Sequence, residues 1–392
     1  MKNNEELNYR KNIIFILIMG IEGMAFGLLD WGNVISDLVY IQNKQKILIS
    51  LITANIGIAK LIANLISIYI NDSKKPNKIF TICVVLCAIG SILVGLTYNL
   101  GWLIAFAIIY ILEIMILEIF SSYHYAYVCN FLPGELATQV HSKRISIFKI
   151  TFMIGIGIAS FLTTKFINKT MSIATIFSAI ILLFLILPIS KVKNRIPNKE
   201  SKTVSLKQKL NLKNYTRYYK SWLITRFLGK FALSSLVVLL SMVAIDSNLN
   251  IAILKTFKTT GWFLSAIGFW LSAYLIKNKV IIKGDILCKL TIAILVIISL
   301  YYPYTIYVIL LINGLLNPFN TMSNFTMLQM DNDDIGVAQK ELVINLLGYF
   351  AGMISSYVLL NIDVKIALII IAITLIMSVG NEIRLYRMQI RL

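Results

Sequence analysis

The chain has 392 residues, of which 58% are apolar and only 14% charged, and its net charge is +19. The polar remainder is too small for a separate soluble domain. The basic excess does not argue for nucleic acid, because lysines and arginines are segregated into alternate loops rather than gathered on one face.

Long apolar runs predict membrane-spanning helices at residues 13–38, 46–70, 79–98, 101–122, 145–166 and 170–190. A second set follows at 222–245, 251–276, 286–302, 304–327, 341–361 and 364–383. A helix crosses the hydrocarbon core with about 20 residues. Runs that are continuous rather than alternating exclude barrel strands. The expected fold class is an all-α membrane protein of twelve transmembrane helices in two pseudo-symmetric six-helix bundles, 1–190 and 221–392, joined by a basic cytoplasmic linker at 191–220.

Basic residues mark one side of the membrane: Lys2, Arg10 and Lys11; Lys74, Lys75 and Lys78; Lys143 and Arg144; the 191–220 segment; Lys277, Lys279 and Lys283; Arg384, Arg387 and Arg391. The alternate loops carry only Lys44, Lys46, Lys165, Lys169 and Lys365. The positive-inside rule then puts both termini in the cytoplasm and the chain in the cell membrane. The first run is too long and too polar for a cleaved signal and reads as a retained helix. Within the linker, residues 204–219 form an amphipathic piece suited to lying on anionic lipid.

Chemistry of other kinds finds no support. Cys83, Cys87, Cys129 and Cys288 have neither metal spacing nor a disulfide framework. There is no P-loop and no zinc-protease motif, so the expectation is a non-enzyme without cofactor or metal.

The two halves repeat. Residues 139–160 (QVHSKRISIFKITFMIGIGIAS) and 336–356 (GVAQKELVINLLGYFAGMISS) each lead from a charged loop into a glycine-containing span, the fifth of its half. Lys143 matches Lys340 and Gly155 matches Gly352 at the same offset. Gly23 and Gly27 in the first span, and Gly348 and Gly352 in the eleventh, are GxxxG steps suited to close helix approach. Internal repeats in a membrane protein suggest alternating access around a site at mid-membrane.

On these features, over residues 10 to 390, the chain resembles the major facilitator superfamily. The loop between the second and third spans, Asn71-Asp72-Ser73-Lys74-Lys75-Pro76-Asn77-Lys78, stands where that superfamily has its signature of glycines, an acid and basic residues. Asp72, Lys74 and Lys75 are the candidates for its conformational role, although both glycines are missing. The fourth span has no arginine, and the fifth has Gly155 and Gly157 in place of a Gly-Pro motif. These departures argue against a proton-coupled drug exporter.

Charges at membrane depth are costly and mark function by default. The first span carries Glu22, Phe26, Asp30, Asn33 and Asp37 at helical spacing, and the seventh carries Arg226, Lys230, Ser234 and Ser241. Glu22 and Lys230 lie at similar depth. The resemblance implies that both helices line a central cavity, with an acidic wall facing a basic one. Arg226 is also long enough to snorkel to the interface. Other candidates for binding substrate or coupling ion are Lys60, with Glu113 as its expected partner, Lys258 with Trp262, and Asn345 with Tyr349. The asparagine row Asn313, Asn317, Asn320 and Asn324 forms a hydrogen-bonding wall, in a helix expected to break or kink at Pro318.

The expected function is secondary active transport of a small polar, charged or amphiphilic solute, coupled to a proton or other ion, with a slight lean to export by analogy. The alternatives are a flippase for lipids or lipid-linked precursors, and a non-transporting membrane sensor. Expected partners are the solute, the coupling ion and membrane lipid, with a monomeric chain.

Overall fold

A computed structural model describes residues 2–28, 46–71, 76–99, 134–165, 170–191, 213, 215–275, 280–329 and 337–390. The described residues are helical with short turns, and no strand occurs among them. The helices are α1 (Lys2–Leu28), α2 (Lys46–Asn71), α3 (Pro76–Asn99), α4 (Gly134–Lys165), α5 (Thr170–Leu183) and α6 (Ile186–Lys191). They continue with α7 (Arg217–Asp246), α8 (Ile251–Leu275), α9 (Val280–Ser299), α10 (Thr305–Gln329), α11 (Val337–Leu359) and α12 (Val364–Ile390). The segments Ile173–Ser190, Arg217–Asp246, Thr305–Leu328 and Val364–Met388 are long and apolar enough to cross a membrane.

Several helices outrun the apolar windows that announce them. α4 starts well before residue 145 and α12 continues past residue 383. Hydropathy sees only the part of a helix suited to lipid, while backbone hydrogen bonding carries the helix further. Of the break or kink expected at Pro318, no break occurs, since α10 runs on through it, and the proline ring packs on Gly268 of α8.

Local chemistry sets the ends. α7 begins at Thr216, whose side chain accepts the Tyr219 N–H at 3.0 Å. It ends with Asn248 in the left-handed region at φ 55°. There the N–H of Asn248 donates to Ile245 O, and that of Leu249 to Ala244 O, the double closure of a Schellman turn. Asn250 then accepts the Ile253 N–H as α8 starts. Asp363 caps α12 by accepting from Lys365 and Ile366 N–H groups.

The helices are apolar on both faces. On α12, Leu368, Ile371, Ala372 and Leu375 are buried while Ile366, Ile369, Ile373 and Ile376 are exposed. Such a helix serves a protein whose outer solvent is lipid.

The chain divides into two compact units, Met1–Trp31 with Ile62–Thr203, and Gly32–Leu61 with Val204–Leu392. In the first, Ile18 and Ala25 of α1, Val84, Cys87 and Ala88 of α3, and Ala179 and Leu182 of α5 share one core. α1 packs parallel to α4, Gly20 beside Ile147 and Gly27 beside Phe152 and Gly155. A methyl group on Gly155 would sit 2.8 Å from the Gly27 Cα, so the two backbones are in direct contact.

The second unit repeats the arrangement. α7 packs parallel to α11, with Lys230 beside Gly348, Ser234 beside Gly352, and Ser235 hydrogen-bonded to Ser355 at 2.8 Å. Ser178 of α5 donates to the Ala25 carbonyl of α1, and Ser378 of α12 donates to the Thr225 carbonyl of α7, in both pairs 153 residues apart. Tyr215 and Tyr219 are buried with Trp222, Leu223, Met327 and Ile344. The end of the segment expected to lie on lipid is thus part of a protein core: aromatic rings that would have shallow contact at an interface gain full burial here.

α2 contributes to this second unit through residues up to Leu61. Asn361 donates to Ser50 Oγ at 3.1 Å, Gly57 lies beside Met353, and the Lys60 ammonium lies 5.8 Å from the centre of the Tyr349 ring. The numbers run in opposite directions, so α2 and α11 are antiparallel.

Candidate functional site

Two groups of polar side chains stand out in the second unit. The first is fully buried. Asp285 and Lys289, one turn apart on α9, form an ion pair at 2.8 Å, and Lys289 Nζ also donates to Glu382 of α12 at 2.7 Å. Ser323 of α10 donates to the other Glu382 oxygen at 3.2 Å, and Asn320 Nδ2 donates to Asp285 at 3.2 Å. Arg226 of α7 is 5% exposed; its Nη1 donates to the Asn320 carbonyl at 3.0 Å, and the guanidinium lies over the Trp222 ring. Trp222 Nε1 in turn donates to Asn324 at 2.8 Å. Arg226 does not snorkel to an interface: its side chain is buried inside the bundle between the Trp222 ring and the Asn320 carbonyl.

Two cations and two carboxylates on three helices, with Asn320 and Ser323 of α10, thus join four helices. Burial of each charge is costly, and mutual attraction offsets the cost only where the remaining donors and acceptors are also satisfied. Asn320, Ser323 and the backbone of α10 supply several of those bonds, while Arg226 Nε is buried without a hydrogen-bond partner among the described residues. The asparagine row is therefore split: Asn320 and Asn324 are buried in this network, while Asn313 is half-buried and Asn317 exposed.

The second group is open. Lys230, near the middle of the 30-residue α7, is exposed, and its methylenes lie against Gly348, near the middle of the 23-residue α11. A methyl group on Gly348 would come within 3.2 Å of Lys230 Cγ. The next residue, Tyr349, holds the Lys60 ammonium over its ring. Lys60 also stands near the middle of its helix, the 26-residue α2. Asn345, one turn before Tyr349, is half-buried, and Ser234, one turn after Lys230, is exposed. Its hydroxyl donates to the Lys230 carbonyl at 2.6 Å. Two ammonium groups, an amide, a phenol and a hydroxyl thus surround one turn of α11. Such a set binds polar or charged groups through charge and hydrogen bonds; among the described residues no cluster suits a metal ion.

The remaining candidates are scattered. Glu22 is 2% exposed on the α1 face that carries Ile18 and Ala25, inside the first unit. Lys258 and Trp262 of α8 are half-buried, near the stack of Phe257 on Tyr307 at 4.8 Å. Asp30, Asp72, Lys74, Lys75 and Glu113 lie outside the described residues.

Asp285, Lys289 and Glu382 do not figure among the residues singled out from sequence. Their signal was present: Lys289 and Glu382 fall inside predicted spans, and Asp285 stands one helical turn before Lys289. What was missing is the meeting of α9 and α12, residues 93 apart in sequence.

The model of the Major Facilitator Superfamily matches residues 15–356 of this chain. No curated protein matches it in sequence. Solved structures match nearly end to end. A transporter of that superfamily, FucP, in the outward conformation, is 12% identical, with a TM-score of 0.70 and coverage of 96% of this chain and 98% of that one. The proton:xylose symporter XylE of E. coli is 11% identical at TM-score 0.71, covering 95% of each chain. The human organic anion transporter MFSD10 is 13% identical at TM-score 0.64, covering 95% of this chain and 98% of that one. At these identities the likeness concerns the fold.

Proposed function

Since the chain belongs to the Major Facilitator Superfamily, whose members are transporters, we propose that it is a secondary active transporter. It moves a small polar or charged solute across the cytoplasmic membrane by alternating access, coupled to a proton or another ion. The observation that carries this reading is the open polar group at the middle of α2, α7 and α11, since carriers bind at mid-membrane, where unneeded charge is costly.

In this reading Lys60, Lys230, Asn345, Asn313 and Asn317 face the solute, with Lys258 and Trp262 on α8 as a further wall. Glu22 and Asp30 are the carboxylates assigned to ion coupling. Arg226 and Asn320 act with Asp285, Lys289 and Glu382 in holding α7, α9, α10 and α12 together. Asp72, Lys74 and Lys75 form the loop that responds to the change of conformation.

The test is flux. Purified protein in proteoliposomes, loaded with a mixed pool of polar metabolites, is expected to release at least one of them in exchange for external solute, with sensitivity to an imposed proton gradient. Absence of exchange for every solute, with correctly folded and inserted protein, would sink the transporter reading.

A further inference from the structure

We infer that the basic side chains Arg217, Lys220, Lys283, Arg384 and Arg387, at one end of the second unit, receive the phosphate of an anionic phospholipid, whose acyl chain runs along the exposed face of α12 past Gly380. Such a site goes with insertion in the membrane and not with the identity of the solute.

The bases come from three helices to one level. Tyr219 of α7, Ile282 of α9 and Leu385 of α12 share a core. Arg217 and Lys220 stand within two residues of Tyr219, Lys283 follows Ile282, and Arg384 and Arg387 flank Leu385. α12 packs on both α7 and α9. Its register against α7 is fixed by Ser378, which donates to the Thr225 carbonyl, and by Asn381, which donates to the Ser221 carbonyl at 3.0 Å. The two helices are therefore antiparallel, and Arg384 comes level with the turn that holds Arg217.

These charges are accessible. Arg217, Lys283, Arg384 and Arg387 are exposed and Lys220 is half-buried. None of them takes part in an ion pair among the described residues. The described acids of this end, Asp285, Glu341 and Glu382, are buried, while Asp331, Asp333 and Asp334 lie outside the described residues.

Each base also ends an exposed apolar stripe. On α12, Ile369, Ile373, Ile376 and Met377 lead at helical spacing to Gly380, then to Arg384 and Arg387. On α9, Ile298, Ile294 and Leu287 lead to Lys283, and on α7, Ile224 leads to Lys220. Positive charge thus begins where the lipid-facing surface stops, at headgroup level. At Gly380 a side chain would meet nothing within 4 Å, which leaves a notch on that face one turn from Arg384. Arginine grips phosphate with its planar fork and lysine with a point charge. By the positive-inside expectation this end meets the cytoplasmic leaflet, whose surface is anionic.

The headgroup chemistry is shared by a free phosphate ester, and the notch is what a lipid alone would use. Delipidated full-length protein in neutral detergent is titrated with phosphatidylglycerol and with phosphatidylcholine, and bound lipid is counted by native mass spectrometry. Thermal unfolding is followed in parallel with both lipids and with glycerol phosphate, the headgroup without chains. Wild type is set beside Arg384→Gln/Arg387→Gln, a variant with all the bases changed to Gln, Gly380→Leu, and Arg384→Lys/Arg387→Lys, which keeps both charges and controls for folding.

The expected result is binding of phosphatidylglycerol ahead of phosphatidylcholine, weakened about fivefold for each neutralised base and kept by the Lys pair. Gly380→Leu fills the notch and lowers affinity for phosphatidylglycerol, and added salt loosens that lipid more than phosphatidylcholine. Equal affinity for the two lipids, or a preference that survives removal of all the bases, overturns the site. Protection by glycerol phosphate as strong as by phosphatidylglycerol, or wild-type lipid affinity in Gly380→Leu, overturns the lipid as its occupant.

Discussion

The buried network around Lys289 and the open pair Lys60–Lys230 are both charged, both intramembrane and both anchored on α7, yet they are built in opposite ways. In the network every cation has a carboxylate or carbonyl within about hydrogen-bond distance, and Asp285, Lys289 and Glu382 are sealed from solvent. Around the lysine pair the neighbours include a glycine and an aromatic ring, and Lys230 is exposed. A buried set of charges that pair with one another serves to fix helices. A partly exposed set at mid-helix contributes less to packing and stands where a carrier meets its solute.

The largest effect expected from this contrast comes from Lys289→Met. It leaves Asp285 and Glu382 buried against each other, at a cost of about 3–5 kcal/mol. The thermal midpoint in detergent should collapse, and Glu382→Gln added to the same chain should restore part of it. A near-normal midpoint for Lys289→Met would show that the network does not hold the bundle.

A pair of glycine substitutions sharpens the comparison. Next to Asp285, a methyl on Gly284 would lie 2.7 Å from the Phe319 ring, and Gly284→Ala is expected to cost about 1–3 kcal/mol. On Gly348 the obstacle is the flexible Lys230 side chain, so Gly348→Ala should change stability by less than about 1 kcal/mol while lowering flux by displacing the lysine. Equal losses of stability in both variants would break the distinction.

Smallest in stability is Lys230→Gln, expected within about 0.5 kcal/mol of wild type but with reduced exchange in proteoliposomes. Salt separates the regions again. Raising ionic strength should weaken the contribution of the exposed Lys230 charge to exchange, whereas the midpoint difference between wild type and Lys289→Met should stay nearly constant, because buried pairs are screened much less.

How much was legible in the sequence differs from element to element. The helix pairs marked by GxxxG steps were visible as patterns: Gly23 and Gly27 do meet α4, and Gly348 and Gly352 do meet α7. Small residues are a local signal, and their only use in lipid at that spacing is close approach. The asparagine row on α10 was visible as a stripe but not as two environments. Asn313 and Asn317 share a face with Asn320 and Asn324, yet only the latter pair is buried, Asn320 on Asp285 of α9 and Asn324 on Trp222 of α7. Lys60 drew attention by its depth, but nothing local to it pointed to Tyr349, 289 residues away.

The sequence by itself determined the all-helical membrane class, most helix positions, the repeat and the cost of each charge at depth. All of these depend on transfer from water to lipid and on backbone hydrogen bonding within one segment. Only the tertiary structure decided which charges neutralise one another and which stay open, because rotation of each helix about its axis and the choice of neighbours are set by packing between segments distant in sequence. Lys289 and Lys230 read alike in the chain. Glu382 and Gly348, brought to them by α12 and α11, make one a strut and the other a candidate hand for the solute.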